Sequence, residues 1–167
     1  HEEKVFTERI KNIDIDVDAG TVKIVRGQEF KLIGENFFKD CLKYEVSGET
    51  LKVKETSPRK WIFNFSFING YDPEVILYVP EEYVFEKVNI SVGAGAVVRA
   101  GGRSEIISIE CGAGLADCKN LVSENIELTN GVGKIQISVK GDVSDYYVSA
   151  ENGIGSISIN GEKYNKE

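Results

Sequence analysis

The chain has 167 residues and a mass of 18.5 kDa, the size of one ordinary domain, and holds 18 Val and 18 Ile against 7 Leu. β-branched side chains lose rotamer freedom in a helix but pack well on a pleated surface, so this ratio excludes a helical bundle. A hydrophobic share of 41% excludes disorder, and no apolar run approaches the roughly 20 residues of a membrane span. The net charge of −7, with Lys and Arg scattered along the chain, makes nucleic acid and anionic membrane poor partners.

In chain order, Ile13, Ile15 and Val17 alternate with Asp14, Asp16 and Asp18, then Gly20 is followed by Val22 and Ile24. Period-2 alternation predicts strand, turn and strand with one face inward. Residues 29–34, 42–46 and 51–54 read as strands, and Ser47-Gly48-Glu49 joins the second and third as a hairpin. Further strands are expected at 61–67 and 74–79, broken by Asn69-Gly70-Tyr71-Asp72-Pro73. Thirteen of 16 aromatics lie at or before Phe85, so residues 5–87 are expected to be a wider, less regular, aromatic-rich β region.

From Gly93 onward a repeat takes over. Gly93-Ala94-Gly95, Gly112-Ala113-Gly114, Gly131-Val132-Gly133 and Gly153-Ile154-Gly155 recur at steps of 19, 19 and 22 residues. Each is preceded by an alternating run (Val88, Ile90, Val92 in the first) and followed by another (Val97, Arg99). A unit of strand, Gly corner, strand and return cannot bury its inner face alone, whereas stacked copies can. The expected fold is all-β: a single-domain parallel β-solenoid spanning 1–167, β-helix-like, with regular Gly-x-Gly coils over 88–161. Its columns would run Val88, Ile107, Ile126, Val148, and Asn130 over Asn152 would form an amide ladder.

Ile13-Asp14-Ile15-Asp16-Val17-Asp18-Ala19-Gly20-Thr21-Val22-Lys23-Ile24 resembles the opening of the bacterial putative-adhesin family of β-strand repeat proteins. Val75-Ile76-Leu77-Tyr78-Val79-Pro80 is similar to its hydrophobic strand ending in Val-Pro, and Lys87-Val88-Asn89-Ile90-Ser91-Val92 with the Gly-x-Gly repeats to its stacked coils. The likeness covers residues 10–161. It implies an extracytoplasmic, secreted or membrane-anchored solenoid of the cell envelope, some relatives being associated with envelope-stress signalling. It implies no enzymatic activity. Arg99 and Cys118 depart from the pattern, because inward positions there are not aliphatic.

Several constellations have a chemical and a structural reading. Asp14-x-Asp16-x-Asp18 fails the calcium-loop template, with Ala19 at its sixth position and Val25 at its twelfth, so the carboxylates read as the outer face of a strand. Each Gly-x-Gly enters a strand rather than the helix a phosphate loop requires. Cys111 and Cys118 share inward parity and are read as buried free thiols, with a disulfide across the corner as the alternative. Trp61, Phe63, Phe65 and Phe67 share a strand face near Tyr71 and form the candidate interaction patch, a buried core strand being the competing reading. Glu110 and Asp117 flank one corner, but nothing in the sequence marks a cleft between them for glycoside hydrolysis.

No catalytic set, metal or cofactor is expected. The chain holds no Met, and a removed signal or anchor agrees with export as simple trimming agrees with none. Membrane attachment is expected only through a segment outside this chain. The expected function is a non-enzymatic adhesin, cell-surface scaffold or envelope-sensing module with a protein or glycan partner. A carbohydrate-binding or carbohydrate-acting solenoid is the alternative, and exposed terminal strands make edge-to-edge self-association available.

Overall fold

The computed structural model describes residues 1–38, 40–55, 73–100 and 102–163. Its strands are β1 (Glu2–Val5), β2 (Asn12–Gly27), β3 (Lys31–Glu35), β4 (Leu42–Ser47), β5 (Thr50–Glu55), β6 (Glu74–Pro80), β7 (Val84–Ala100), β8 (Arg103–Val139), β9 (Tyr147–Ile159) and β10 (Glu162–Lys163). The expected hairpin is β4–β5, paired antiparallel from Leu42–Glu55 to Ser47–Thr50.

β2, β7 and β9 are each one rung, bent at a Gly corner into two arms, and β8 carries two such rungs in succession. The rungs stack in parallel, with Ile13 against Val88, Val88 against Ile107 and Ile126 against Val148. The second arms follow the same register through Val22, Val97 and Ala116, then Ile135 and Ile157. Parallel strands about 4.8 Å apart bring these inward side chains into van der Waals columns. Val88, Ile107 and Ile126 are completely buried, and they join one hydrophobic cluster with the second-arm residues.

The corner explains the glycines. Gly114 has φ 137°, a region that side-chain-bearing residues avoid, and a Cβ there would run into the Gly95 carbonyl of the rung beside it. Four-residue chemistry at the end of the first arm adds the amide ladder: Asn130 Nδ2 donates to Asn152 Oδ1 at 2.9 Å, and also to the Gly133 carbonyl at 2.9 Å.

The order of rungs in space is not their order in the chain. β2 pairs with β7 on one side, so Gly20 stacks on Gly95, and pairs on its other side with β5 and β6. β5 and β6 are thus the two arms of a split rung. Gly112 needs to be small because a Cβ would stand 2.5 Å from the Gly93 carbonyl, and Gly93 because one would stand 2.6 Å from the Asp18 carbonyl. The buried Glu55 supplies an acceptor there, its Oε2 taking the Ala19 N–H at 3.0 Å. Pro73 O takes the Thr21 N–H at 2.9 Å. The irregular half therefore resolves into one regular rung, one split rung and an antiparallel cap of β1, β3 and β4.

Arg99 and Cys118 are both buried and stand side by side in register, a long side chain beside a short one in a column otherwise running Ile24, Ile137, Ile159. Burial pulls the Arg99 guanidinium down to about 10 and pushes the Cys118 thiol up to about 12, the guanidinium partly opposing the second shift. Cys41, Cys111 and Cys118 are free thiols, as read from the sequence for the last two.

This chemistry sets the alkaline behaviour. Burial raises the thiols of Cys41, Cys111 and Cys118, so above their ordinary value of 9.0 the native state holds more protons than the unfolded chain. Stability then falls with rising pH from about 9 to about 10, where loss of the Arg99 proton begins to act in the opposite sense. Urea midpoints at about pH 8 and about pH 10 check this, and equal midpoints contradict it.

Candidate binding cleft

Trp61, Phe63, Phe65, Phe67 and Tyr71 lie outside the described residues. Asp14 and Asp16 face Lys52 and Lys54 across the β2–β5 register, as the outer face of a strand pair. Glu110 and Asp117 sit on different arms, in columns with Ser91 and with Val98. Among the described residues no group of three or more His, Cys, Asp or Glu is gathered for a metal ion.

A cleft of about 450 Å³ opens instead at the start of the first arms, on the side opposite the Gly corners. Its origin is a change of volume along one inward column. Phe85 is followed in register by Ser104, and Ser123 comes 19 residues later. An aromatic ring fills the first position, and hydroxymethyl groups leave space at the next two. Ser123 Oγ lies 2.9 Å from the Asn125 carbonyl and 3.1 Å from the Glu105 carbonyl, which ties the floor to the backbone of two rungs.

The far wall comes from the longer last step of the repeat. The 22-residue spacing leaves room for a 3₁₀ turn at Val143–Asp145, capped by Asp142 Oδ1 accepting the Ser144 N–H at 3.0 Å. That hydrogen bond holds the Asp142 carboxyl below the usual range. Tyr146 closes the wall, its hydroxyl donating to the Lys140 carbonyl at 2.6 Å. Partial burial, with Asp145 nearby, raises the Tyr146 hydroxyl above its ordinary value. Arg103 and Lys140 stand around the same opening as Glu105, Glu124 and Asp145. Mixed charges, two hydroxyls and one aromatic ring suit a small polyhydroxylated or polar ligand better than an apolar one.

None of these residues stands out in the sequence as a motif. Two signals would have found them: the switch from Phe85 to Ser at the 19-residue step, and the extra three residues of the last step. Tyr146→Phe tests the wall, since it removes the hydroxyl and keeps the ring. A loss of about 1 kcal/mol in urea unfolding is expected, and an unchanged midpoint would show the turn is held by other contacts.

Corner, column and split rung define a parallel β-solenoid built from two-armed rungs. The chain belongs to the Toastrack DUF4097 family, whose model matches residues 10–166 and whose fold is a solenoid-like repeat. Among solved structures, a putative cell adhesion protein from Clostridium sporogenes is 18% identical with a TM-score of 0.63, over 95% of this chain and 97% of that one. A putative adhesin from Bacteroides fragilis is 12% identical with a TM-score of 0.33, over 95% of this chain and 96% of that one. At such identities the first likeness is one of fold. No curated protein matches the chain. Among the described residues no helix is long and apolar enough to cross a membrane.

Proposed function

We propose that this chain is a non-catalytic, extracytoplasmic binding module of the bacterial cell envelope, serving adhesion or surface scaffolding. The observation that carries the reading is the outer face of the first arms. In register, Asn89 stands beside Ser108, Ser91 beside Glu110, Glu127 beside Ser149 and Thr129 beside Glu151. These columns form a broad polar sheet held by a continuous parallel ladder above a packed core. Such a surface is rigid, so docking a partner costs little ordering entropy. The cell-adhesion name of the Clostridium relative agrees with this reading. Tagging the whole gene product in its own bacterium tests it: intact cells should expose the tag to added protease and antibody. A tag protected in intact cells and released only on lysis overturns the envelope assignment.

A second reading rests on the cleft. Its carboxylates, cations and Tyr146 ring are the groups that bind sugar hydroxyls and sugar faces. A glycan array should then show a ligand whose binding falls about tenfold in Glu124→Gln, the loss of one charged hydrogen bond. An array without a hit removes this reading and leaves the first intact.

A further inference from the structure

Among the described residues, the ion pairs all fall within residues 1–86. Lys11, for one, lies 3.5 Å from Glu49 and 3.7 Å from Glu86. The charges around the cleft behave differently. Arg103, Glu105, Glu124, Lys140 and Asp145 share one opening, yet among the described residues none of the five forms an ion pair.

Three of the chain's carboxylates stand in one column. Glu86 lies beside Glu105, between the register pairs Phe85–Ser104 and Lys87–Ile106. Glu124 follows one 19-residue step later, and the Val122 N–H donating to the Gly102 carbonyl at 3.1 Å fixes that register. Rungs stand about 4.8 Å apart, so Glu105 and Glu124 are direct neighbours at the cleft. Glu86 has Lys11 as its counter-charge, whereas Glu105 and Glu124 have like charge beside them. Like charges directly opposite destabilise a sheet, and a cation held between them removes that cost.

Ser104 points to a ligand by a separate route. It is 7% exposed, lines the cleft, and among the described residues its hydroxyl makes no hydrogen bond. The Ser123 hydroxyl beside it is engaged with two backbone carbonyls. A buried hydroxyl ordinarily has a partner.

We propose that the cleft takes a sugar bearing a free primary amine, its ammonium held between the Glu105 and Glu124 carboxylates. This rests on the reading of the cleft as a sugar site and names the class of sugar. An ammonium has three donors, and the two carboxylates with the Ser104 oxygen supply three acceptors. Charge separates this class from acidic sugars. Glu105, Glu124 and Asp145 against Arg103 and Lys140 leave the opening at −1, on a chain of net charge −7. A monocation neutralises that opening, and an acidic sugar adds to the repulsion.

Arg103 stands in its own column between Val84 and Val122, about 6.6 Å along the strand from Glu105. It and Lys140 donate to hydroxyl oxygens at the other end of the ring, and Tyr146 offers an aromatic face. A volume of about 450 Å³ is small for a ligand site and suits one ring.

Amide chemical-shift titrations with glucosamine, glucose and N-acetylglucosamine at about 20 mM salt test this. Glucosamine should bind about tenfold tighter than the two uncharged sugars, with shifts at residues 103–105, 122–124 and 140–146. Glu105→Gln, at an exposed position, should keep the wild-type urea midpoint and cut that preference to about twofold or less. Equal binding of the three sugars overturns the ammonium site and leaves the sugar reading standing. Binding by none of them overturns the proposal, and takes the sugar reading with it when the glycan array is also empty. Shifts confined to other parts of the acidic surface overturn it, as does an undiminished preference in Glu105→Gln.

Discussion

Gly114→Ala is expected to destabilise the chain by at least about 4 kcal/mol, a large fraction of the roughly 5–15 kcal/mol that holds a domain folded. Two effects act together. At φ 137° an alanine is strained whatever the space around it, and its methyl would overlap the Gly95 carbonyl. The obstacle is backbone hydrogen-bonded into the next rung, so it cannot swing aside as a side chain would. Gly48→Ala is the control. There φ is 56° in the β4–β5 hairpin and nothing lies within 4 Å of the added atom, so only the left-handed conformation costs, at about 1 kcal/mol. Urea denaturation followed by far-UV circular dichroism separates the two, and similar midpoints would contradict the stacked-carbonyl account.

Ile107→Ala is expected to cost about 3 to 4 kcal/mol. Ile107 is fully buried in the middle of its column, beside Val88, with rungs on both sides to hold the cavity open. Val148→Ala, in the same column but half-buried at the last rung, should cost about 1 kcal/mol in dilute solution. Equal losses at the two positions would mean the column does not end at β9.

The arms, corners and columns are legible in the chain because the repeat writes each of them several times. The 19-residue step forces Val88, Ile107 and Ile126 into one column, and Gly95 and Gly114 into one corner. Local alternation and a fixed period suffice for this, since a one-residue slip would turn every inward side chain to solvent. Asn130 and Asn152 were readable for the same reason.

The cleft was not readable in that way. It depends on Ser104, Ser123 and Tyr146 having different volumes from the residues beside them, and volume differences acquire meaning only once the stacking partner is known. Arg99 and Cys118 look like separate faults in the pattern until their register makes them neighbours.

By itself the sequence determines an all-β chain of two-armed rungs with Gly at each corner, because β-branched alternation and the repeat period are local properties. The tertiary structure decides how the rungs are ordered. β2 has two hydrogen-bonding edges, and its period says nothing about which segment takes each. That choice puts β7 on one edge and splits a rung between β5 and β6 on the other. The excess of Val and Ile explains why the rungs stack, and the pairing of distant strands explains the order in which they do so.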